Sequence, residues 1–301
     1  MPADNSAFPI YATSLAHEYC RKKEVDLPFV VIPIESLFSM KSGKCKLPES
    51  TSSCLRSKFG LKPDAMVLVE CVDQDCTVEG FWQNERSAGI IAQLANMALV
   101  GATVPNFSYF YNAPRTQTLY NRRRSTIIAE RMSQAGLAPI IHLNALTPSD
   151  WKWWESVLSD NPSVNLVAKE FGTGLRTRSK GIDDLWRMEC LQDRLGRSLH
   201  PVLFSARRYL KHAVDRFERL TIVDSHPFHL TRSRRKLTIV NGKPKVVVHK
   251  TQPGEPLDDL YAHNVAEYSR YFEAAFASTT IQEYAPISRP RQVEPFDLEL
   301  T

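Results

Sequence analysis

The 301-residue chain has six cysteines (Cys20, Cys45, Cys54, Cys71, Cys76 and Cys190) but no Cys-x-x-Cys pair, which argues against a zinc ribbon or a dithiol redox motif. Cys71 and Cys76 are the nearest two, and read as a strand-end thiol and a loop thiol. No apolar run is long enough to cross a bilayer, and no charged flank precedes an apolar core at the N-terminus. A cytoplasmic protein with reduced thiols, acting away from membranes, is therefore expected. No Gly-x-Gly-x-x-Gly follows the first strand, which argues against an open dinucleotide-binding sheet. Repeats and low-complexity tracts are also missing, and nothing sets an oligomeric state.

What is present is a chain that can bury a sizeable core, with 43% hydrophobic residues. The net charge of +5 is modest, but it is clustered at Arg122-Arg123-Arg124, Arg207-Arg208 and Arg232 to Lys236. Clustering of one sign favours a polyanionic partner.

Apolar runs at 29–34, 66–71, 99–104, 138–143, 164–169, 201–204 and 220–223 read as strands. Helical spacing is found at 83–97, 116–135, 182–195, 207–217 and 258–276. Thr147-Pro148-Ser149-Asp150 supplies a capping residue and an N-terminal proline for a further helix through Trp151, Trp154 and Leu158, and Gly136 ends the one before it. Trp151, Trp153 and Trp154 read as core and rim. Strands alternating with helices predict a parallel sheet wrapped by helices. Seven clear strands and one ambiguous candidate near the N-terminus favour an α/β fold of the (β/α)8, TIM-like type. The expected layout is an arm over 1–27, one barrel domain over 28–285, and a tail over 286–301. Asn241-Gly242 between two β-branched runs predicts a hairpin at 237–249, inserted before the closing helix.

The order Asp224, then Thr231-Arg232-Ser233-Arg234-Arg235, then a strand, an Asn-Gly turn and a strand, resembles the tRNA-guanine transglycosylases. Pro256-Leu257-Asp258 and Tyr268-Ser269-Arg270 resemble that family downstream. Upstream, Glu170-Phe171-Gly172-Thr173-Gly174-Leu175 and Asn144-Ala145-Leu146-Thr147-Pro148 resemble its Gly-rich and Asp-Glu-Cys-Thr-Pro motifs, and Pro105-Asn106-Phe107-Ser108 is a faint counterpart of its Asp-Ser-Gly-Gly-Phe loop. The resemblance spans residues 99–276 and is specific from about 199 onward. Two family Asp positions are Asn106 and Asn144 here, and the zinc cysteines after the hairpin are missing. The pattern is closest to divergent zinc-less members, similar to phage and bacterial proteins that act on DNA.

That resemblance implies exchange of guanine in a nucleic acid, DNA ahead of tRNA, for a 7-deazaguanine-type base, with no metal or other cofactor. Asp224 is the expected nucleophile on the sugar C1′. A general acid and base is also needed, which an amide cannot supply; Glu170 is the expected group, with Glu70 and His142 behind it. Asn106, Asn144 and His142 are expected to bind the base, with Gly172 and Gly174 letting backbone amides approach it. Thr231, Arg232, Arg234, Arg235 and Lys236, then Arg122 and Arg123, are expected to contact phosphates. A nucleic-acid-binding barrel without catalysis and a base-releasing N-glycosidase remain the alternatives.

Overall fold

The computed structural model describes residues 8–15, 24, 26–172, 178–252 and 254–280. Eight parallel strands close into a barrel in chain order: β1 (Tyr11–Ser14), β2 (Phe29–Pro33), β3 (Met66–Glu70), β4 (Gly101–Thr103), β5 (Pro139–His142), β6 (Leu166–Glu170), β7 (His200–Phe204) and β8 (Thr221–Asp224). The expected (β/α)8 architecture is thus present. Its first strand is not where the layout placed the barrel boundary. Tyr11–Ser14 lies inside the stretch read as an arm, and closes the barrel by pairing with β8 (Tyr11 opposite Ile222, Thr13 opposite Asp224) and β2 (Thr13 opposite Val30). Four residues, two of them small hydroxyls, give too short a pattern to identify a strand. The tail at 286–301 lies outside the described residues, as do 1–7 of the arm.

A single helical turn, Ile34–Leu37, follows β2, and the longer helices are α1 (Ser52–Phe59), α2 (Asp75–Ala88), α3 (Ile90–Ala95), α4 (Arg115–Gln134), α5 (Pro148–Asp160), α6 (Arg178–Leu195), α7 (Leu210–Val214), α8 (His226–Arg232) and α9 (Asp258–Thr280). The single helix expected over 83–97 is two, because Gly89 takes a left-handed φ of 62° and breaks the hydrogen-bond ladder. The helix expected over 207–217 is a 3₁₀ turn, Arg207–Tyr209, followed by the short α7. None of the described helices is long and apolar enough to cross a membrane.

Each strand has two buried faces, as parallel barrel strands must. Inward, Ala12, Val31, Leu68, Ile140, Ala168, Val202 and Val223 fill the barrel, with Phe8 among them at its N-terminal end. Outward, Ile32, Val67, Val69, Ile141, Val167, Leu203 and Ile222 pack under the helices, where Trp151, Trp154, Met188 and Phe272 are also buried. Each such side chain contributes roughly 1.5–3 kcal/mol. Tyr11 stacks on Phe272 and Tyr268 at centroid distances of 4.7 and 5.8 Å, tying β1 to α9.

After β8 comes α8, and then an antiparallel ribbon, β9 (Arg235–Val240) and β10 (Lys243–Val248). Asn241 and Gly242 have φ of 52° and 69°, the pair of positive values that a type I′ turn requires. The basic stretch is mostly regular. Thr231 and Arg232 end α8, Arg235 and Lys236 begin β9, and only Ser233 and Arg234 turn the chain between them.

Candidate active site at the barrel mouth

Side chains alternate across a strand, so residues two beyond the barrel-filling positions also point inward. The pairings stagger neighbouring strands, and alternate strands then share levels. Ser14 on β1, Glu70 on β3, His142 on β5 and Phe204 on β7 form the uppermost level of this kind. This is the C-terminal end of the strands, where α/β barrels carry their chemistry.

Three of those four residues are polar. Ser14 Oγ donates to Glu70 Oε1 at 2.6 Å. Burial pushes the Glu70 carboxyl up to about 7, against the pull of the Ser14 hydrogen bond. His142 is 4% exposed, its ring 5.8 Å from that of Phe204, and neither ring nitrogen has a hydrogen-bond partner. Burial, helped by the nearby Lys169 ammonium, drives its pKa down to about 3, so the imidazole is neutral at any working pH. At the same end Glu35 and Asp73 share a side-chain hydrogen bond, which with burial raises the Glu35 carboxyl.

Glu170 is the next inward position of β6 after Ala168, and its Oε1 accepts the N–H of Gly172. A Cβ on Gly172 would lie 2.7 Å from that oxygen and 3.2 Å from Ser205 Oγ, so a larger residue there would push the Glu170 carboxylate out of this position. The Gly172 amide expected to approach a base is therefore spent on Glu170. Gly174 lies outside the described residues. Asn106 and Asn144 do come together: Asn144 Nδ2 donates to Asn106 Oδ1 at 2.7 Å and to the Phe107 carbonyl at 3.3 Å. The Asn106 N–H is anchored on the Cys71 carbonyl at 3.0 Å, and Trp154 Nε1 holds the Asn144 carbonyl at 2.8 Å. Among the described residues, Asn106 Nδ2 and Asn144 Oδ1 keep no protein partner. They form a donor and an acceptor side by side.

Asp224 is not among these groups. It shares the outward face of β8 with Ile222, and its partner across the register, Thr13, likewise faces out to bond Tyr261 Oη at 3.0 Å. Its Oδ1 accepts the His226 N–H at 2.6 Å, capping the turn into α8, and its Oδ2 lies 3.7 Å from Arg207 Nε. Arg207 in turn donates to Tyr268 Oη at 2.8 Å. Asp224 thus sits between β8 and α9, outside the inward-facing level.

The basic candidates divide. Thr231 is buried, donates to the Pro227 carbonyl at 2.7 Å and accepts from Asn264 Nδ2 at 3.0 Å, which makes it a support of α8 and not a phosphate contact. Arg122 lies 3.4 Å from Asp150 and 4.2 Å over the Trp153 ring, also in a structural role, and Arg124 is clamped on Glu79. Arg123, Arg232 and Arg235 are exposed, and Arg234 and Lys236 are half-buried. Arg234 holds a positive φ of 51° at the turn.

Ser14, Glu35 and Asp73 were missed by sequence reasoning. Glu35 and Asp73 carried the available signal, as acidic residues just beyond strand ends. Among the described residues no group of three or more His, Cys, Asp or Glu is placed as metal ligands would be. No family model matches the chain, and no curated protein matches it.

Proposed function

We propose that the chain is an enzyme working by general acid–base catalysis in the barrel mouth, and that its reaction is base exchange at an N-glycosidic bond of a nucleic acid. The observation that carries the first part is the uppermost inward level: a carboxyl poised near neutrality on the same level as a buried imidazole whose two nitrogens have no hydrogen-bond partner. The second part rests on the resemblance around the hairpin and on the Asn106–Asn144 pair, whose donor and acceptor suit the edge of a purine.

In this reading Glu170, the accessible inward carboxylate, attacks C1′ as the C1′–N bond of the outgoing base breaks. Protonated Glu70 gives its proton to that base. The incoming base gives a proton back to Glu70 and attacks C1′, and the Glu170–sugar bond breaks. Atoms and charge balance with no further reactant. A base must leave its stack to reach this depth.

Incubation with labelled guanine and either duplex DNA or tRNA tests the reading. Incorporation into one of them supports it. Release of base without incorporation makes the protein a glycosidase. A binding barrel without catalysis is favoured by one observation, the outward position of Asp224, and predicts binding with neither outcome.

A further inference from the structure

From Thr231 to Lys250 the chain carries seven lysines and arginines and no acidic residue, so whatever meets this segment meets one sign of charge. The ribbon's register sorts its side chains into two faces. Arg235, Leu237 and Ile239 share one with Pro244, Val246 and Val248; Lys236, Thr238 and Val240 share the other with Lys243, Lys245 and Val247. Leu237 on the first face is fully buried. The free edge of β9 is closed by α9: Asn264 Oδ1 accepts the Leu237 N–H at 2.8 Å, and Glu267 Oε2 the Ile239 N–H at 3.2 Å. On the second face Lys236 and Thr238 are half-buried while Val240, Lys243, Lys245 and Val247 are exposed, as is every residue of β10.

We propose that this second face is a contact for duplex DNA, with the β9–β10 ribbon lying in the major groove. The inference rests on a nucleic acid being the substrate, and narrows it to B-form duplex. Six-residue strands give a ribbon roughly 20 Å long. The B-form major groove, about 12 Å wide, admits a two-stranded ribbon, whereas the A-form groove of RNA is too narrow for its side chains. Lys236, Lys243 and Lys245 supply charge for phosphates or guanine edges, Thr238 a hydroxyl for base edges, and Val240 and Val247 apolar contact for thymine methyls. Lysines and Pro244 on an edge strand oppose addition of a further strand, which disfavours a protein partner there.

The test is anisotropy on a labelled duplex of about two helical turns, set against double-stranded RNA of the same sequence and anionic lipid vesicles. The proposal expects the DNA to bind at least tenfold tighter than the RNA. Lys243→Glu with Lys245→Glu should weaken DNA binding about tenfold or more and lower the salt slope by about 2, with thermal stability unchanged. Equal affinity for RNA, preference for vesicles, or undiminished binding by the double variant would overturn it. Glu70→Gln should bind DNA as the wild type does, so an inactive barrel with a working ribbon is distinguishable from a ribbon that does not bind.

Discussion

A histidine with two buried, unpartnered ring nitrogens costs the fold about 1–3 kcal/mol for each unsatisfied group. Replacing it with an apolar residue of similar size removes that cost. His142→Leu is expected to raise stability by about 1 kcal/mol in denaturant unfolding while reducing turnover at least tenfold; a destabilised variant would make His142 a packing residue. Glu70 gives a second expectation at this scale. Its native carboxyl titrates near 7, against 4.5 for the ordinary group. As pH rises between those values the unfolded chain loses a proton that the native one keeps, so this group's contribution to stability falls across that window and is level above it. Glutamine mimics the protonated state without titrating. Glu70→Gln should therefore gain on the order of 2 kcal/mol relative to wild type on going from pH 4 to pH 8, measured as the difference in melting temperature at the two values. Glu70 and His142 were legible as strand-end candidates, because their types and positions suffice to raise the question. The facing of Asp224 was not, since a shift of one residue along a strand reverses the side to which it points.

At the scale of elements, α5 shows why sequence signals worked where they did. Thr147 caps the helix, and Asp150 completes the capping box that the Thr-Pro-Ser-Asp order advertised. Asp150 is also a hub, accepting from Arg115 at 2.6 and 2.9 Å and from the N–H groups of Leu146 and Thr147 at 3.0 and 3.1 Å. Burial pushes its carboxyl up, but Arg115 and the two amides outweigh this and hold it below the ordinary range. Its stabilisation is present above the unfolded pKa and is lost as pH falls toward the lower native value. Asp150→Ala should cost about 3 kcal/mol at neutral pH, since it strands several donors at once, and the deficit should shrink in acid. A pH-independent cost would place the effect in packing alone. The break between α2 and α3 was missed because an isolated glycine at 89 is also tolerated inside helices.

For the whole molecule, closure depends on the strand that the sequence hid best. Without β1 the barrel would expose the edges of β2 and β8, and Tyr11 would leave the face of Phe272. Deleting residues 1–15 should therefore abolish the cooperative unfolding transition and yield aggregating protein. Retention of a sharp transition would mean that the seven remaining strands suffice. The order of the other strands and helices was legible because most parallel strands are buried apolar runs, but a mouth is assembled from residues far apart in the chain, and only the barrel's closure brings Ser14 to Glu70. The proposed chemistry lies inside this mouth and not at Asp224. The most direct measurement compares labelled-guanine incorporation by the wild type, Glu70→Gln and Asp224→Asn under identical conditions. Incorporation by the wild type, a loss of at least about 100-fold in Glu70→Gln, and activity within a few-fold of wild type in Asp224→Asn are expected. Full activity in Glu70→Gln, or complete loss in a folded Asp224→Asn, would contradict the account.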